Sequence, residues 1–130
     1  MGTELRGILD TSVVLATDLE PIAGELALSA ITLAEMHFGV LVAKTSEVRA
    51  ERLRRLVLIE KAFDALPVDE AVSASYGRIA SAVVELGRQP RARSMDLLIA
   101  ATAHAHDARL CTRNPSDFVG LDDLVEVVSV

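Results

Sequence analysis

Short apolar runs alternate along this chain with longer segments of helical periodicity, and that alternation leaves few folds open. Arg6 to Leu9 reads as a strand, as do Leu26 to Ile31, Ala65 to Val68, Arg109 to Arg113 and Val125 to Val130. Between them, Thr11 to Thr17 begins a short helix, and Thr32 opens one running to about Lys44. Ser46 opens another, from Glu47 to about Phe63, whose Leu53, Leu56, Val57 and Ile59 share an apolar face. Its Glu47, Arg49, Glu51, Arg52, Arg54 and Arg55 read as a solvated face. Asp69 caps a helix to about Leu86 that Gly87 and Pro90 stop, and Ser94 caps one through Ala105. Pro67 removes a ladder donor from the third run, which suits an edge strand. Strands separated by helices pair in parallel through right-handed crossovers. The expectation is an α/β fold: one domain over residues 1–130, a three-layer α/β/α sandwich around a mostly parallel sheet.

Composition agrees with that architecture. Hydrophobic residues make up 51% of the chain and aromatics only 3%, so the core must be built from Ala, Val, Leu and Ile. Such a core suits parallel strands covered on both faces. Cys111 is the only cysteine, which excludes an internal disulfide and any Cys-rich zinc site. It lies in the apolar run Leu110-Cys111-Thr112 and reads as an inert buried thiol. No apolar run reaches the roughly 18 residues of a membrane span. No basic, apolar, small-residue leader opens the chain, and a cytosolic protein is expected. The net charge of −6 argues against a protein that coats nucleic acid with a basic face. It does not exclude an enzyme whose bound cations meet a phosphate, since its acids count as negative only while the site is empty.

The acids that matter stand at strand–helix junctions. They are Asp10 in Ile8-Leu9-Asp10-Thr11-Ser12, Glu35 in Ile31-Thr32-Leu33-Ala34-Glu35, Asp96 in Ser94-Met95-Asp96-Leu97-Leu98-Ile99, and Asp117 in Thr112-Arg113-Asn114-Pro115-Ser116-Asp117-Phe118. In an open parallel sheet, sites form at the carboxyl ends of strands. Asp10 ends the first strand, Glu35 follows the second by one helical turn, and Asp117 follows Arg109 to Arg113. Asp96, in the first turn of its helix, can face the same crevice.

Each acid also has a purely structural explanation. Thr32 and Glu35 match a T-x-x-E capping box. Ser94 can cap a helix with Asp96 in its first turn, favoured by the dipole. Asn114 and Pro115 read as cap and first residue, which puts Asp117 third. Asp10 can be an ordinary turn residue. Against these readings stands the context. Asp10 and Asp96 border strongly apolar segments, where an ionised carboxylate is costly unless paired or metal-bound. Several carboxylates at one point repel, and a hard divalent cation such as Mg²⁺ or Mn²⁺ removes the conflict.

The remaining polar residues say less. His104 and His106 are two apart on a helix, and His37 lies two after Glu35, so none has the spacing of a metal-ligand pair. Arg88, Arg91 and Arg93 form a basic loop before Asp96 that, with Arg113, is the best candidate for gripping a phosphate backbone. There is no G-x-x-x-x-G-K-[ST], G-x-G-x-x-G or G-x-S-x-G, so neither a nucleotide loop nor a hydrolase elbow is present. Asp10-Thr11-Ser12 also lacks the second aspartate of an aspartyl-phosphate phosphatase.

Taken together, these segments resemble the PIN domain, and specifically the VapC-type toxin ribonucleases of bacterial toxin–antitoxin pairs. Ile8-Leu9-Asp10-Thr11-Ser12-Val13 is similar to the family's opening strand and first acid, and Ala34-Glu35 with Gly39-Val40 to its second motif. Asp96-Leu97-Leu98-Ile99-Ala100-Ala101-Thr102-Ala103 is similar to the third, and Thr112-Arg113-Asn114 with Asp117-Phe118 to the fourth. Members often carry Gly in the turn before the fourth strand, where this chain has His106-Asp107-Ala108. Asp tolerates the left-handed conformation better than most residues, so the turn is expected to survive.

The resemblance implies an endoribonuclease that depends on one or two Mg²⁺ or Mn²⁺ ions held by Asp10, Glu35, Asp96 and Asp117. Thr11, Ser12, Thr112 and Asn114 would orient those carboxylates or their waters. It further implies a homodimer and a small antitoxin protein that covers the acidic site. Two rivals remain open from the residues alone: a metal-dependent phosphohydrolase of small phosphate esters, and a non-catalytic protein-binding module whose acids serve only as caps or as a surface for a basic partner.

Overall fold

The computed structural model describes residues 5–130. Along the chain run β1 (Arg6–Leu9), α1 (Thr11–Val14), β2 (Glu25–Ser29), α2 (Ala30–Leu41), α3 (Ser46–Ala62), β3 (Ala65–Leu66), α4 (Glu70–Glu85), α5 (Ser94–Ala105), β4 (Arg109–Thr112) and β5 (Val127–Ser129). Single 3₁₀ turns cover Pro90–Arg93 and Pro115–Phe118. The sheet order is β3-β2-β1-β4-β5 and every neighbouring pair is parallel. In register, Ile8 stands between Ala27 of β2 and Leu110 of β4. Edge strand β3 is shorter than the apolar run suggests, because Pro67 follows Leu66 and ends the ladder.

Side-chain alternation along the strands divides the core between the two faces of the sheet. Ile8 and Leu110 face α4 and α5, packing with Val72, Ile79, Leu97 and Ile99. Their neighbours Leu9 and Cys111 face the other way, with Leu28, and pack on Val13 of α1, Met36 of α2 and Leu56 of α3. Each fully buried aliphatic side chain contributes about 1.5–3 kcal/mol. The sheet is therefore sandwiched between two helical layers, as the aliphatic composition suggests. Burial among these side chains pushes the Cys111 thiol pKa up, which keeps it protonated and inert.

Several element boundaries differ from the sequence expectation, each for a local reason. α2 begins at Ala30, not Thr32, because the Ser29 hydroxyl at the end of β2 accepts the Ile31 N–H at 3.0 Å. The strand thus turns directly into the helix, and Thr32 becomes a buried residue inside it. Thr45 rather than Ser46 caps α3, accepting the Val48 N–H at 3.1 Å. Asp69 does cap α4 through the Val72 N–H, and Gly87 follows the helix with φ +79°. α5 starts at Ser94 itself, preceded by Arg93 without any side-chain cap. In the turn before β4, Asp107 adopts φ +51°, the conformation the sequence requires of it there.

The charged row of α3 is not merely solvated. Arg52 donates to the Gly39 carbonyl at 2.6 Å and Arg49 to that of Ala43 at 3.3 Å. Arg55 donates to the carbonyls of Val14 and Ala16 at 3.3 and 2.8 Å. These bonds fasten α3 to the carboxyl ends of α1 and α2, where unpaired carbonyls attract cations. Conversely, of its expected apolar face Leu56 is buried while Leu53 and Val57 are exposed, as are Phe38, Leu41, Val42 and Leu58. Among the described residues no helix is long and apolar enough to cross a membrane.

Candidate active site

From β1 the chain builds outward to β2 and β3 on one side and to β4 and β5 on the other. Parallel sheets with such a reversal leave a crevice at the carboxyl edge between the two strands where the order switches, here β1 and β4. Asp10 is the first residue past β1, and its N–H donates to the Cys111 carbonyl of β4 at 3.0 Å. It is only 6% exposed. Its Oδ1 accepts the Val13 N–H at 3.2 Å, capping α1, and the Ser12 hydroxyl at 2.5 Å. Both bonds fall on Oδ1, so neither uses Oδ2. The Ser12 hydroxyl in turn accepts the Arg113 N–H at 3.0 Å, which stitches α1 to the end of β4.

Glu35 comes from the second turn of α2, and its Oε1 accepts the Thr11 hydroxyl at 2.6 Å. That hydroxyl also lies 3.2 Å from the hydroxyl of Thr32. The i, i+3 spacing of Thr32 and Glu35 presents both to Thr11 from one helix face. The T-x-x-E capping box therefore does not form: Ser29 holds the capping position, and Thr32 and Glu35 turn to Thr11 instead.

Asp96 and Asp117 form a second pair. One nitrogen, Arg93 Nη2, stands 3.0 Å from Asp96 Oδ2 and 2.8 Å from Asp117 Oδ2. The bond to Asp117, then that to Asp96, raises the guanidinium pKa further above its ordinary value, against a lowering by burial. Asp117 is third in its turn after Asn114 and Pro115, as its sequence suggests, and buried Phe118 beside it anchors that turn in the core. The Asn114 side chain makes no cap bond; the backbone N–H of Asn114 donates to Thr112 Oγ1 at 3.0 Å.

Of the four acids, Asp96 and Asp117 are bridged through Arg93, while Asp10 and Glu35 are held separately by the neighbouring hydroxyls of Ser12 and Thr11. Among the described residues no group of three or more His, Cys, Asp or Glu side chains is arranged to hold a metal ion. The donor set nevertheless fits a hard cation, being carboxylate and hydroxyl oxygen throughout. The Asp96–Asp117 pair already has a positive group seated between its oxygens.

The other expected residues divide. Arg88 and Arg91 are exposed. Arg113 grips Asp18 instead, at 2.8 and 3.3 Å, and holds that carboxyl below its usual range. Two of the three histidines pair away from these four acids, His104 Nδ1 with the Ser75 hydroxyl at 2.7 Å and His37 with Glu60 at 3.5 Å. The sequence reading missed a cavity of about 260 Å³ beside Glu35, lined by Thr11, Leu15, Met36, Gly39, Arg52 and Arg55. Its only signal was an arginine row on α3 that looked solvated. A larger cavity of about 450 Å³ lies at the opposite end of β1 and β2, among Arg6, Glu25 and His106, so size does not mark the site.

The sheet order, with its reversal between β1 and β4, defines a doubly wound α/β domain that has Asp10 at the carboxyl end of β1. The PIN domain matches residues 8–123. Over 136 aligned positions the chain is 37% identical to ribonuclease VapC5 of Mycobacterium tuberculosis, covering 98% of each. It is 39% identical over 101 residues to toxin FitB of Neisseria gonorrhoeae, spanning 75% of this chain and 71% of that one. The crystal structure of VapBC-5, a member of the VapBC family of toxin–antitoxin systems from M. tuberculosis, superposes with a TM-score of 0.82 at 35% identity, covering 96% of this chain and 97% of that one. FitAcB from N. gonorrhoeae gives 0.74 at 31% identity, covering 93% and 95%. The chain belongs to the PIN-domain family, among its VapC-type members.

Proposed function

We propose that this protein is a divalent-metal-dependent endoribonuclease, the toxin of a toxin–antitoxin pair, with Asp10, Glu35, Asp96 and Asp117 holding one or two Mg²⁺ or Mn²⁺ ions. The observation that carries the reading is the meeting of Asp96 and Asp117, from separate elements, on a single cationic nitrogen. Two acids brought together around a positive group are better matched to cation binding than to helix capping, which neither performs here. A divalent cation held by these acids supplies Lewis-acid chemistry, acidifying a water and offsetting phosphodiester charge. Thr11 fixes the Glu35 carboxylate and Ser12 fixes that of Asp10, so both present defined oxygens without a search over rotamers. Arg88 and Arg91 lie exposed ahead of α5, where they meet the RNA backbone. The exposed apolar side chains of α2 and α3 suit a protein partner, either a second copy of the chain or a small antitoxin.

Millimolar Mn²⁺ is expected to raise the melting temperature. A ligand at a hundred times its Kd stabilises the folded state by about 2.7 kcal/mol, which corresponds to roughly 10 °C for a domain of this size. The same preparation should cut total cellular RNA and leave p-nitrophenyl phosphate intact. Indifference of the melting temperature to Mn²⁺ and Mg²⁺ would speak for a binding module, and turnover of the ester without RNA cleavage for a small-ester phosphohydrolase.

A further inference from the structure

We infer that Arg93 is a built-in competitor of the metal: its guanidinium occupies the cation's place between Asp96 and Asp117 and gives way when a divalent ion binds. The inference rests on the carboxylate-site reading and adds to it a residue of this chain that sets how readily the site loads. Three observations carry it. One nitrogen serves both acids, at 3.0 and 2.8 Å, on the Oδ2 of each. A planar guanidinium ordinarily engages a carboxylate as a two-pronged fork; here it bridges two carboxylates through one atom, as a point cation does. Next, the Arg93 side chain is 37% exposed, so the displaced guanidinium has a route into solvent. Finally, Arg93 precedes α5 without capping it, which leaves these two ion pairs as the side-chain bonds of its turn.

The sign of the effect follows from charge. Without Arg93, Asp96 and Asp117 would face each other uncompensated, and their repulsion would disfavour the metal-free protein. An incoming dication must overcome the attraction between Arg93 and the same oxygens and the repulsion between the two cations. Neutralising Arg93 removes both opposing contributions at contact distance, and the dication gains.

The test is binding of Mn²⁺ alone, without RNA, followed by the electron paramagnetic resonance signal of the free ion. Wild type, Arg93→Gln and Arg93→Lys are compared, each checked for native circular dichroism. Arg93→Gln is expected to bind Mn²⁺ about tenfold more tightly than wild type, the size of a Coulomb interaction between partly solvated charges. Arg93→Lys, which keeps the charge, should stay within about threefold of wild type. Equal or weaker binding by folded Arg93→Gln would overturn the inference, as would Arg93→Lys binding as tightly as Arg93→Gln. If wild type and both variants bind no Mn²⁺, the carboxylate-site reading itself falls and the inference with it.

Discussion

Asp10→Asn is expected to lower RNA cleavage by about a thousand-fold or more, the several kcal/mol that a bound metal contributes to a phosphoryl transition state. The fold should survive the change. Oδ1 of Asp10 accepts the Val13 N–H and the Ser12 hydroxyl, and an Asn carbonyl oxygen can accept both. Asn also ranks with Asp as a helix cap. What Asn cannot supply is the negative charge a cation requires. Asp10→Ala separates the two roles further, because it loses the cap as well and should cost about 1 kcal/mol of stability. Cleavage rate and thermal melting measured on the same preparations decide the matter. If Asp10→Asn melts far below wild type, its carboxylate is a structural group. If it melts normally and still cuts, Asp10 lies outside the chemistry.

Phe118→Ala should be the most damaging single change to the fold. Phe118 is buried in the cluster that α4 and α5 build on the sheet, and it belongs to the turn that carries Asp117. Truncating such a side chain costs about 3–5 kcal/mol, part lost transfer energy and part cavity. For a domain of this size that lowers the melting temperature by on the order of 15 °C. Phe118→Leu, which refills most of the cavity, should cost much less. The change also acts on the site, because the anchor that holds Asp117 against Arg93 is gone. Denaturant unfolding gives the stability, and Mn²⁺ binding by the surviving folded fraction reports the site. A loss below about 1 kcal/mol would mean that the turn is not fixed by this contact.

The layered fold was legible because its signals are local and repeated. Ile8 and Leu9, or Leu110 and Cys111, sit in runs too apolar and too short for anything but a covered strand, and they do face opposite layers. Asp69 and Gly87 mark the ends of α4 through capping rules that need no tertiary information. Helix starts were missed by a residue or two through local caps at Ser29 and Thr45, but where a side chain's partner was misread, that partner was distant in sequence. Thr32 looked like a cap because its neighbour Glu35 completes a motif, yet both turn to Thr11, more than twenty residues away. Arg55 looked solvated because its own helix offers it nothing, while its acceptors are the carbonyls of Val14 and Ala16.

The candidate site shows the same division. That Asp10 and Asp117 belong to one edge follows from strand ends and sheet order. That one arginine bridges Asp96 and Asp117 does not, since it depends on how a 3₁₀ turn of four residues directs its last side chain. The same turn explains why Arg93, grouped in the sequence with Arg88 and Arg91 as a phosphate grip, faces the acids instead.

The most direct measurement is cleavage of total cellular RNA by the purified protein in Mg²⁺ or Mn²⁺, in excess chelator, and by Asp96→Asn prepared identically. Asp96 is half exposed and its bond to Arg93 is a surface ion pair worth about 1 kcal/mol or less, so the variant should fold. Defined cuts are expected with metal, none with chelator, and none from Asp96→Asn in either condition. Metal-independent cutting, or equal cutting by wild type and Asp96→Asn, would contradict the proposed function.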